Sequence, residues 1–169
     1  LPFGAALALK LAYEHVKPLM PASLSKELKA LADSAAKSLS ASTGRNPFAK
    51  WPDKIRVLQS GPPRTPPNIK PGVHEAVCAA LLNNLQLRVR YRAASKQEER
   101  EFVVTPLGMV SKDGKIYVVV SRKDKDEPAI FSLHRILQAQ VEHIEGLAPP
   151  GWAGLDAYID TGKFLFPPG

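Results

Sequence analysis

The residues best suited to chemistry fall in three short runs near the middle of the chain. Leu85-Gln86-Leu87-Arg88-Val89-Arg90-Tyr91-Arg92 alternates apolar and basic side chains. Successive strand residues point to opposite faces, so Leu85, Leu87, Val89 and Tyr91 share one face and Arg88, Arg90 and Arg92 the other. Three guanidiniums on one face repel each other unless negative charge lies opposite. Two readings follow: a solvated outer face neutralised by Glu98, Glu99 and Glu101, or an anion-binding surface in which Arg90 takes part. The second run, Gly114 to Arg122, supplies Tyr117 and Arg122; the third, Pro128 to Ile136, supplies Ser132, His134 and Arg135. A hydroxyl, an imidazole and two guanidinium forks are groups suited to phosphate. The Tyr117 ring offers a surface on which a base can stack. Tyr117 and His134 read equally well as core residues with satisfied polar tips.

Catalysis finds less support. Ser132 and His134 stand two apart on one predicted strand and so share a face, as a nucleophile and its base would. No orienting carboxylate or oxyanion donor accompanies them, and no catalytic residue is assigned. His15, His74, His134 and His143 are scattered without metal-ligand spacing. Cys78 is the only cysteine, which rules out an intrachain disulfide or a Cys-rich metal site. Its place in an apolar helical run predicts a buried small hydrophobe. Neither a phosphate-cradling Gly-rich loop nor a Gly-x-Ser-x-Gly elbow is present, and no cofactor is assigned.

The elements that position these residues read as an α+β chain. Residues 5–17 are strong helix formers, ended by Pro18 and Pro21. Ser23 reads as the N-cap of a second helix with Leu24, Leu28 and Leu31 in one stripe, stopped by Thr43-Gly44. Together with Leu7 and Leu11 these leucines exceed what one helix pair covers, which predicts packing on a second copy or another domain. Trp51 to Leu58 forms a short apolar segment, and Gly61 to Gly72 is a Pro-rich linker. Val73 to Asn84 is a third helix, with Val73, Val77, Ala80 and Leu81 on one face. Five strands follow at about 85–92, 99–110, 115–122, 128–134 and 137–144. Asp113-Gly114 is a hairpin turn, Lys123 to Glu127 a solvated turn, and Pro106-Leu107-Gly108 kinks the second strand. The predicted organisation is a helical segment at 1–60, the linker at 61–72, a helix-plus-barrel domain at 73–146 and an extension at 147–169.

The order of these pieces resembles the WYL domain, a bacterial regulatory module named for a Trp-Tyr-Leu triplet. Here the triplet reads Ile116-Tyr117-Val118, so only the tyrosine is kept. Phe131, Leu133, Arg135 and Ile136 match the family's Phe-x-Leu-x-Arg-Ile segment, while His134 stands where Asp is frequent. Tyr91 followed by Pro106-Leu107-Gly108 matches a further element. The resemblance covers roughly residues 70 to 146. It implies an Sm-like five-stranded antiparallel small barrel preceded by one helix, which senses a negatively charged effector, a nucleotide or single-stranded nucleic acid. Tyr117, Arg122, Ser132, His134, Arg135 and Arg90 are the expected ligand-binding residues. Such regulators usually carry an N-terminal winged helix-turn-helix; none is evident here, so DNA contact is expected through a domain outside this sequence, and the helical segment is expected to form a homodimer. The alternative is an Sm-like nucleic-acid-binding module with no sensing role.

Composition agrees with an anionic partner. The net charge is +7, and the acidic excess is confined to residues 136–169, with one basic residue against four acidic ones. Apolar content of 44% and charged content of 23% are those of a globular protein. No apolar run approaches the length of a membrane span, and the apolar start lacks a basic leader, so the expected address is cytoplasmic. Leu1 and the Pro167-Pro168-Gly169 end suggest a fragment of a longer protein.

Overall fold

The computed structural model describes residues 2–41, 65–94, 98–165 and 167. The predicted apolar segment Trp51–Leu58 and the Thr43-Gly44 stop lie outside them. The chain divides into two compact units, Leu1–Pro62 and Pro63–Gly169.

In the first unit, α1 (Phe3–Val16) and α2 (Ala22–Ala41) are joined by a 3-10 turn, Lys17–Leu19, with Pro18 near its start. Pro21 immediately precedes α2, so Ser23 sits inside the first turn and is not the N-cap. The line of contact also differs from the leucine stripe. Ala6 and Ala35 are buried, with Leu7 and Leu9 packed against them, whereas Leu24 and Leu31 are 48% and 56% exposed. Alanines at the contact let two helices approach closely, and the bulkier leucines are left on the outside. The Leu11 side chain lies outside what is described.

In the second unit, Gly72 (φ 77°) caps α3 (Val73–Asn83) and Asn84 closes it in the left-handed region (φ 50°, ψ 51°). Asparagine tolerates that conformation, so the chain passes into β1 with no loop. The strands are β1 (Leu85–Arg92), β2 (Glu99–Lys112), β3 (Lys115–Arg122), β4 (Lys125–Ser132) and β5 (Ile136–Glu145). All pair antiparallel, in the order β4-β3-β2-β1-β5. Asp113 (φ 51°) and Gly114 (φ 74°) make the two-residue β2–β3 turn, both at positive φ as a type I′ hairpin requires. The register of β2 on β3 slips between Pro106 and Gly108, because proline cannot donate to the ladder and the strand bulges around it.

Two expectations need correction. The five strands form an open sheet whose edges are β4 and β5. A short 3-10 turn, Leu133–Arg135, carries the chain from one edge to the other, and three residues in helical geometry extend neither ladder. The solvated turn is also shorter than predicted: β4 begins at Lys125, leaving only Lys123 and Asp124 at the tip.

Strand β3 is buried along Tyr117–Ser121 because both of its faces are covered. Val118 and Val120 join Val77, Leu87, Val89, Val104, Phe131 and Leu133 in the core beneath α3. Tyr117 and Val119 face the other way, into a second core with Tyr158 and Phe164. That second core is supplied by the C-terminal segment, which folds back over the sheet and forms α4 (Leu155–Asp160). Gly108 makes room for it: a Cβ there would lie 2.8 Å from both Leu155 δ-carbons. Lys112 Nζ donates to the Phe164 carbonyl at 2.5 Å, and Tyr158 Oη to the Pro128 carbonyl at 3.2 Å, fastening the segment at its helix and just beyond it.

Candidate ligand-binding site

The basic face of β1 is largely neutralised. Arg88 reaches Glu101 at 2.9 Å and Glu142 at 2.7 Å. Arg90 lies 3.5 Å from Glu99, which also pairs with Arg92. Cross-strand register puts Glu101 directly opposite Arg90 and Glu99 opposite Arg92, the placement in which opposite charges support a sheet. The hydrogen bond from Arg92 holds the Glu99 carboxyl below its ordinary value. Arg90 therefore belongs to an ion-paired outer ladder, the first of the two readings of that strand.

Arg122 stands apart from the remaining expected ligands. Tyr117 pairs with Ser132 across β3–β4, while Arg122 pairs with Lys125 beside the hairpin tip. Five strand positions separate the two ends, about 17 Å at the rise of a β-strand. Arg122 is engaged locally: Nε and Nη2 donate to the Asp124 carboxylate at 3.0 and 2.5 Å, and its guanidinium lies 5.1 Å from the centre of the Phe102 ring. The bond to Asp124 raises the Arg122 pKa and lowers that of Asp124.

Tyr117, Ser132, His134 and Arg135 do share one end of the sheet. The Tyr117 ring is 4% exposed and meets Phe164 edge-on at 6.0 Å, so it is a wall of the second core. Ser132 is fully buried, and its backbone N–H donates to Tyr91 Oη at 3.3 Å; Tyr91 in turn stacks on Phe131 at 4.3 Å. β4 ends at Ser132, so His134 is not on a strand with it, and the alternation that gave the two a common face does not reach that far. His134 and Arg135 occupy the 3-10 turn, held down by the fully buried Leu133 and the nearly fully buried Ile136 on either side.

The chemistry concentrates in this turn. His134 Nδ1 and Arg135 Nε are both buried, and neither has a protein hydrogen-bond partner among the described residues. Burial comes first among the causes that push the His134 pKa below its ordinary value; the charges of Arg135 and Lys115 follow. Lys115 is a member of the group that sequence reasoning missed. Its only signal was its place directly after the Asp113-Gly114 turn, and which side of the sheet that turn faces is set by pairing. Two cations and an imidazole acting on one turn make a place where an anion is stabilised.

Among the described residues, no group of three His, Cys, Asp or Glu side chains is placed to share a metal ion. No helix among them is long and apolar enough to cross a membrane.

The WYL-domain family model matches residues 72–141, from the cap of α3 into β5. Over that stretch the chain is similar to the WYL domain. The match spans the whole sheet order from β1 through β4, and the turn bearing His134 and Arg135 lies inside it. No curated protein sequence matches the chain. Among solved structures it is similar to proteasome accessory factor B/C (PafBC) of Arthrobacter aurescens, at 23% identity and a TM-score of 0.40 over 76% of this chain. The chain spans 17% of the length of that protein.

Proposed function

We propose that the WYL domain is the sensing part of a transcriptional regulator and takes a negatively charged effector at the turn between β4 and β5. The observation that carries this reading is the pair of buried, unpartnered nitrogens, His134 Nδ1 and Arg135 Nε, on adjacent residues of that turn. A buried polar group without a partner costs stability, and a ligand that supplies the missing acceptors recovers it on binding. Arg135 is the principal anchor, His134 and Lys115 add donors, and buried Ser132 and Tyr117 hold the turn's base. Arg90, paired on the outer face, has no part in it. The effector class that suits these groups is a nucleotide or a short single-stranded nucleic acid.

On the same reading the protein acts in the cytoplasm, DNA contact belongs to a domain beyond these residues, and the α1–α2 pair serves self-association through its exposed leucines. Sedimentation that shows a strict monomer would remove the last of these.

The test is a titration of nucleotides and short single-stranded oligonucleotides at low salt against wild type, Arg135→Ala and Arg90→Ala. A charge-assisted phosphate contact contributes roughly 1.5–3 kcal/mol, so Arg135→Ala weakens binding about tenfold or more. Arg90→Ala leaves it nearly unchanged. Equal affinities for wild type and Arg135→Ala, or no binding to either, removes the site. Binding of every sequence with a steep salt dependence and no conformational response favours a nucleic-acid-binding module without a sensing role.

A further inference from the structure

The far end of the β3–β4 hairpin carries three cations, Arg122, Lys123 and Lys125, interleaved with Asp124 and Asp126. There a cleft of about 420 Å³ opens between the middle of β2, the end of β3 and the segment Leu147–Pro150. That volume lies within the range of small-ligand sites. Arg122, Lys123 and Lys125 rim it, with Asp126 the one acidic residue among its walls. The opposite wall is apolar, formed by Leu147, Pro149 and Pro150, and Leu147 is 70% exposed.

The wall is held firmly. Gln86 Nε2 donates to the Glu145 carbonyl at 3.3 Å, and the Leu147 N–H donates to Thr105 Oγ1 at 3.2 Å. Gly146 approaches Thr105 so closely that a Cβ would lie 2.5 Å from its methyl group. These side-chain-to-backbone bonds keep the cleft in shape before any ligand arrives, which lowers the entropy lost on binding.

The charged anchor is equally prepared. The Arg122 side chain is 20% exposed, lies over the Phe102 ring and holds its guanidinium fork toward a carboxylate. That carboxylate belongs to Asp124, two residues on and 65% exposed. Its two oxygens show where a carboxylate or phosphate of a ligand would sit. The Asp124 side of this bidentate pair is 65% exposed, so solvent screens it and an incoming anion can compete for the fork.

We propose that this cleft binds a compact ligand that joins a carboxylate or phosphate to an apolar body, with Arg122 as its anchor and Asp124 as the resident carboxylate that the ligand displaces. The site shares no residue with the turn that holds His134 and Arg135, and its existence does not depend on that turn binding anything.

The probe is phenyl phosphate, with inorganic phosphate as its control, titrated into the full chain while backbone amide resonances are followed. Phenyl phosphate shifts Ser121, Arg122, Leu147 and Ala148 saturably. Inorganic phosphate binds at least about tenfold more weakly, because it leaves the apolar wall uncovered. Asp124→Asn tightens phenyl phosphate binding by up to about fivefold. Arg122→Ala abolishes the shifts, Arg122→Lys retains them at reduced affinity in a variant that keeps the charge over Phe102, and Arg135→Ala leaves them intact. Wild type without saturable shifts, or Arg122→Ala and Arg122→Lys both binding as wild type does, overturns the site. Weaker binding by Asp124→Asn overturns the role given to Asp124, and loss of the shifts in Arg135→Ala overturns the separation of the two sites.

Discussion

Replacing Arg135 by methionine should make the protein more stable and less able to bind. Methionine keeps the length and most of the apolar contact of the arginine stem and removes the buried Nε that lacks a partner. An unsatisfied buried polar group costs about 1–3 kcal/mol. Since Arg135 as a whole is only half-buried, the low end applies, and Arg135→Met should gain about 1 kcal/mol. In a compact unit spanning Pro63–Gly169 that corresponds to a rise in Tm of about 4–8 °C. The gap should close or reverse with effector present: at about 100 times the wild-type Kd, ligand adds roughly 2.7 kcal/mol to wild type and, at about tenfold weaker affinity, only about 1.4 kcal/mol to the variant. Thermal melts of both proteins, with and without a bound oligonucleotide, read both effects. A third readout is the His134 titration, which should move up in the variant because one of the charges that lowers it is gone. If Arg135→Met instead loses more than about 1 kcal/mol, the guanidinium does structural work in the free protein, and the argument from an unpaired nitrogen fails.

Three further outcomes follow from the same geometry. His134 has a folded pKa below its ordinary 6.5, so the unfolded chain takes up the proton first as pH falls. Stability is complete above about pH 6.5 and declines as pH drops from there through the folded pKa, and urea melts of His134→Gln should lack this decline. Gly146→Ala forces a Cβ to 2.5 Å from the Thr105 methyl and should cost about 1–3 kcal/mol, which Thr105→Ser, by removing that methyl, should partly restore in a double-mutant cycle. Phe164→Ala strips the ring from Tyr117 and Tyr158 and should cost about 3–5 kcal/mol in denaturant unfolding; a cost below about 1 kcal/mol would show that the C-terminal segment is not part of the domain's core.

What was legible in the sequence was local. Leu85–Arg92 announced itself by alternation, Asp113-Gly114 by being one of the few dipeptides that close a type I′ turn cheaply, and Val73–Asn83 by apolar spacing that ends on an asparagine able to turn left-handed. These features depend on residues within a few positions of each other. What required the structure was pairing. Whether Arg88, Arg90 and Arg92 meet a ligand or glutamates depends on which residues of β2 and β5 stand opposite, and Glu142 comes from 54 residues away. The placement of Arg122 fails for a related reason. Ser132 and Arg122 lie on adjacent strands, but an antiparallel hairpin brings together only residues equally far from its tip, and Arg122 is at the tip while Ser132 is at the base. The turn at Leu133–Arg135 hides because three residues of 3-10 helix between two strands leave no period to read. The C-terminal segment hides because its aromatic residues, Trp152, Tyr158 and Phe164, are too sparse to announce an element. They acquire meaning only where Gly108 leaves room for Leu155 and where the odd-numbered residues of β3, otherwise a hydrophobic outer face, need covering. That second core sets the position of Tyr117, hence of its register partner Ser132, and so of the turn that follows. The turn that carries His134 and Arg135 is in this way fixed from behind by a segment whose sequence gives no sign of that part.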